Sequence, residues 1–237
     1  MLDTFPAEKI RRLRVRARRL LSIPEGTIDG WSKSPVDPMQ LLGTFSALRL
    51  REGFVLRGYV FRAGDNGNGI VWAVPVEADF PEPAGCESLD GRFLSPPRPP
   101  AALADLMEAI EGDGTAWSYL SASLFAREAA EFGAAWHGCD WSAHEILGAD
   151  PWTTPPKVEP GAEWLGEPEE WEWEGERPDV WEPQVDDRED EVWVTFITYS
   201  GVGQQTLFYH MDRYTKGRYM FEATVRPLAG GPGGYVF

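Results

Sequence analysis

Two stretches of this chain, 44–76 and 192–227, are built from aromatic and β-branched runs separated by short glycine-bearing breaks. This pattern constrains the fold more than any other feature. Asn-Gly and Gly-rich breaks between such runs are hairpin signals, because asparagine and glycine supply the positive φ that tight turns need. In the first stretch the runs are Thr44 to Leu50, Phe54 to Arg62 and Ile70 to Val76, broken at 51–53 and at Gly64-Asp65-Asn66-Gly67-Asn68-Gly69. In the second they are Val192 to Tyr199, Thr206 to Tyr214 and Tyr219 to Pro227. Each stretch reads as a three-stranded antiparallel meander, and the two are candidates for one sheet.

Helical periodicity lies outside these stretches. Residues 7–21 carry Ile10, Leu13, Ala17, Leu20 and Leu21 on one narrow stripe. Pro6 opens the segment and Pro24 closes it. The segment 101–147 reads as helical: a short helix from Ala101 to Glu111, a longer one from Trp117 to Trp136 with Gly138 as its cap, and a brief one from Ser142 to Leu147. Strands joined by hairpins and segregated from helices give an α+β fold with antiparallel sheet. The central helices are expected on one face and the basic N-terminal helix at the periphery. At 237 residues the chain suits a single domain, with a connecting arm at 150–190 and a flexible tail at 228–237.

Charge is sorted along this framework. Lys9, Arg11, Arg12, Arg14, Arg16, Arg18 and Arg19 crowd the first helix. Residues 159–191 hold fifteen carboxylates against Arg177 and Arg188, a local charge of −13 in a chain of net charge −16. That balance counts against general nucleic-acid binding, whose affinity comes from basic residues. Arg12, Arg16 and Arg19 are the candidate anion-binding residues, and a clamp on the acidic arm, within one chain or between two copies, takes precedence over nucleic acid. The arm is also rich in tryptophan, unlike disordered acidic segments. It is expected to lie pinned by its rings, with Trp164, Trp171, Trp173 and Trp181, and Tyr235 and Phe237 beyond the glycine-rich tail, as candidate partner-binding residues.

Chemistry-bearing groups are sparse. His137, Cys139, Asp140 and His144 form the densest cluster, but their spacing matches no zinc motif, and no metal or cofactor is expected. Cys139 lacks the flanking signature of a nucleophile. Glu128 projects into the apolar arc of the longer helix, Trp117 to Trp136, an environment that enzymes use for general acids but that more often holds an ion pair. Arg49, Arg57 and Arg62 are its candidate partners. Cys86 and Cys139 form no disulfide framework, and the absence of long apolar runs suggests a cytoplasmic protein. The expected function is a non-enzymatic protein–protein interaction module, an adaptor or acidic inhibitor, meeting a basic partner or a second copy through the arm. An enzyme using Glu128, His137, Cys139 and His144 is the alternative, and anion or nucleic-acid binding by the arginine helix is a third.

Overall fold

The computed structural model describes residues 1–21, 29–155 and 166–234. It is an α+β protein whose sheets are antiparallel throughout. The chain forms two compact units, Met1–Arg12 with Asp140–Phe237, and Leu13–Cys139. Among the described residues no helix is long and apolar enough to cross a membrane.

The first unit is organised by the long strands Glu191–Ser200, Thr206–Thr215 and Phe221–Gly230, which form the second meander as the aromatic and β-branched runs and their breaks predict. Further strands extend the sheet. Gln184–Asp187 pairs with Glu191–Ser200 on one side and with Leu2–Thr4 on the other, and Glu172–Trp173 pairs with Ala229 and Gly230. One face of this sheet carries Ile197, Tyr199 and Leu207. They pack with Leu147, Trp171, Trp181, Leu228 and Ala229, and Trp152, Trp173 and Tyr209 flank the cluster.

The second unit holds the hairpin Phe54–Ala63 and Asn66–Pro75. Its turn is only Gly64-Asp65, because Asn66 to Gly69 belong to the second strand. The third strand is Gly30–Lys33, which lies before the stretch 44–76 in the chain. Residues 44–50 do not complete the meander. Pro38–Thr44 is helix α2, capped by Asp37, and Leu48–Leu50 pairs with Ile110–Gly112. The expected helix from 101 to 111 is therefore a 3-10 turn, Leu106–Ala109, running into a strand. The two meander regions lie in separate sheets.

Helix α1, Ala7–Leu21, forms as expected but is not simply a solvated basic rod: Arg14 is 3% exposed. Helix α3, Ala116–Ala130, stops short of Trp136. Gly133 turns the chain at φ +75°, and a Cβ there would lie 2.9 Å from Val60 Cγ1. The stop is thus made by Gly133 rather than by Gly138. The following segment returns to the hairpin, where Gly67 and Ala135 exchange backbone hydrogen bonds of 3.1 and 3.0 Å.

Helix α3 begins at a compact polar cap. Thr115 Oγ1 accepts from Ser118 N and donates to Asp113, whose carboxylate also accepts from Thr115 N. These bonds, led by the Thr115 hydroxyl, hold the Asp113 carboxyl below its ordinary value of 3.8. Its stabilising contribution is therefore complete above the ordinary carboxylate range and fades as pH falls through the lowered value. Thr115→Ala is expected to cost about 1 kcal/mol at neutral pH. Part of that loss should vanish in acid, as measured by denaturant titration at both pH values.

Candidate functional site

Glu128 is 1% exposed on α3, and its partner comes from the arginine helix rather than from the first hairpin. Arg14 Nε donates to Glu128 Oε1 at 2.7 Å, and Arg18 Nε lies 3.9 Å from Oε2. Arg49 instead bonds to Glu111, and Arg62 donates to the carbonyls of Phe61 and Gly133. A carboxylate enclosed with a guanidinium at this distance is an internal ion pair. The arginine helix is thus held by carboxylates, but the pairs found lie outside 159–191. Arg11 meets Glu8 and Glu145, Arg12 meets Glu8, and Arg14 meets Glu128. Arg12, Arg16 and Arg19 are all exposed.

The cysteine–histidine cluster is distributed between the two units. His137 is exposed on the 3-10 turn Trp136–Gly138, and Cys139 follows it half-buried; both belong to the second unit. His144 belongs to the first and is 8% exposed. Among the described residues no group of three or more histidine, cysteine or acidic side chains is arranged to hold a metal ion.

His144 is joined by two residues that the sequence cluster does not include, Thr198 and His210. Thr198 Oγ1 lies 2.8 Å from His144 Nδ1 and 2.9 Å from His210 Nε2. Aromatic rings enclose this arrangement. Trp141 stacks on His144 at 5.6 Å and Phe196 stacks on His210 at 4.7 Å. A hydroxyl has one proton, so it can donate to only one imidazole. With both rings neutral, the other ring donates its own N–H to Thr198. The side chains are 0% exposed at Thr198 and 3% at His210, which makes this an internal network more than an open catalytic centre. The available signal was strand alternation: Phe196 and Thr198, like Phe208 and His210, are two residues apart and share a face.

The acidic arm has the most developed surface. Trp171 and Trp181 are not surface anchors; they are 4% and 5% exposed in the core of the chain's own sheet. Trp173 is half-buried beside them, and Trp152 meets Trp171 edge-on at 5.4 Å. Arg177 pairs with Asp150 and lies over the Trp152 ring at 4.7 Å. Between these fixed points Glu167, Glu169, Glu170, Glu172, Glu174, Glu176, Asp179 and Glu182 are exposed. The rings hold the backbone against the sheet and the carboxylates face solvent. Glu182 also lines a cavity of about 470 Å³ with Glu8, Arg11 and Glu145, in which Arg11 is already engaged by the other two carboxylates.

Trp164, Tyr235 and Phe237 lie outside the described residues. The described part of the tail is tied down rather than hinged. Leu228, Ala229 and Gly230 end a strand, Gly231 N donates to Gln205 O, and Gln205 donates to Pro232 O and Gly233 O. The chain matches no protein family, no curated protein and no solved structure.

Proposed function

We propose that this chain is a protein–protein interaction module, an adaptor or acidic inhibitor, that presents a preorganised acidic face to a basic partner. One observation carries this reading: the arm is nailed to its sheet by Trp171 and Trp181 while its carboxylates remain exposed. A flexible acidic segment loses conformational entropy when it binds, and a fixed one has already been ordered by folding. The field of clustered carboxylates also speeds encounter with a basic surface, such as a cleft that otherwise receives nucleic acid. A cytoplasmic setting suits the reading, since neither Cys86 nor Cys139 is held in a disulfide.

The test compares the native chain with a variant carrying Glu169→Gln, Glu172→Gln, Glu174→Gln and Glu176→Gln. These side chains are exposed, so the variant should fold with nearly unchanged stability. Immobilised native protein is expected to retain basic proteins from host extract and release them as salt shortens the screening length. The variant should retain far less of the same proteins. Equal capture by both, or capture indifferent to salt, would sink the acidic-face reading.

A further inference from the structure

The strand Phe221–Gly230 is paired along its whole length with Thr206–Thr215 on one side, but only at its end on the other. Glu172–Trp173 covers Ala229 and Gly230; no described strand covers Glu222 to Arg226. These five residues are all exposed, with Val225 at 51% and the Glu222 side chain at 78%. The stretch ends sharply. Pro227 has no N–H for a further ladder bond, and the register shifts at Leu228, where two residues of this strand meet one on its neighbour.

Open edges are commonly guarded by charges that repel an incoming strand. The charges here do the opposite for one particular strand. When two antiparallel strands related by a two-fold axis pair, directly opposed residues share a face, so the register centres on a residue. The midpoint of the open stretch is Thr224. Centring there sets Glu222 against Arg226 of the second copy, twice, and Ala223 against Val225. The register of maximal overlap is therefore also the one of complementary charge. Within one chain Glu222 is already bonded to Arg213 at 2.8 Å, and Arg226 lies over the Tyr209 ring at 4.9 Å. Pairing would extend both into one row of alternating groups across the junction.

We propose that Glu222–Arg226 is a self-complementary edge that joins two copies of this chain into a continuous antiparallel sheet about Thr224. The interface is isologous, the kind that closes as a dimer instead of growing into a filament. This edge is independent of the acidic face, since it uses a different strand and a different partner.

Charge exchange tests it. Sedimentation or light scattering near physiological salt should show a concentration-dependent dimer for the native chain. Glu222→Arg alone and Arg226→Glu alone each place like charges across both junctions and should weaken the dimer by roughly a hundredfold. Mixing the two variants should restore it as a heterodimer, because every junction again joins a cation to a carboxylate. Arg226→Glu leaves the Arg213–Glu222 bridge in place, so its effect is separable from lost folding. As a fold-independent check, Thr224→Cys should be joined to its own copy by a short bifunctional thiol reagent far faster than the native chain. A native chain that stays monomeric at its solubility limit would overturn the proposal. So would single variants that dimerise as well as it does, or a mixture that fails to recover.

Discussion

Replacing Arg14 with alanine is expected to remove about 3–5 kcal/mol of folding stability, the usual cost of breaking a buried ion pair by deleting one partner. The size follows from what remains. Glu128 is 1% exposed, it loses the guanidinium at 2.7 Å, and Arg18 at 3.9 Å is too distant to replace that hydrogen bond. Denaturant titration measures the loss directly. Exchanging both partners for apolar residues of similar size, Arg14→Met with Glu128→Leu, should recover most of it, because desolvation of the pair offsets much of its attraction. A double variant as unstable as Arg14→Ala would contradict this account. An Arg14→Ala change of a few tenths of a kcal/mol would mean that the carboxylate finds other compensation.

Trp171→Ala is expected to cost about 3–5 kcal/mol, as for other large aromatic residues removed from a core. The ring is packed closely from the sheet side and from the tail: a Cβ on Gly231 would lie 2.5 Å from it. Loss of the ring opens a cavity beside Trp152, and the arm between Glu167 and Glu176 loses its anchor. Proteolytic cleavage in that segment should accelerate along with the fall in stability. The contrast with the four-glutamate variant is the useful part. Removing the ring should destabilise the fold, whereas neutralising the four carboxylates should leave stability nearly intact and greatly reduce capture of basic proteins. If Trp171→Ala melted with the native protein, the arm would not be pinned as described.

Local pattern was legible wherever a structure closes on sequence neighbours. The hairpin 54–75 and the meander 191–230 join adjacent segments through short turns, and their turn residues announce them. Pairings between distant segments left no such mark. Leu48–Leu50 is extended because Ile110–Gly112 lies beside it, and neither three-residue segment has enough period to reveal the other. Leu2–Thr4 likewise depends on Gln184–Asp187. For the same reason the burial of Glu128 could be read from its place on an apolar arc, but its partner Arg14 could not. The tryptophans of the arm show a related ambiguity. A ring suited to an interface is equally suited to a core, and composition does not distinguish them. Strand alternation gives the faces of Thr198 and His210, but not the bridge to His144, which joins a loop to two strands.

The strand pairing of Leu2–Thr4 also sets an order in time. Its partner strand, Gln184–Asp187, lies about 180 residues downstream. Leu13–Cys139 is contiguous, whereas the other unit is assembled from two segments that flank it. At about 5–20 residues per second, the first strand waits on the order of ten seconds or more for its partner to leave the ribosome. The contiguous unit can acquire its internal packing during that interval. The unit bearing the acidic face can complete its sheet only near the end of synthesis, so a ribosome stalled before residue 184 should display Leu13–Cys139 protected from protease and the segment ahead of it still open to cleavage.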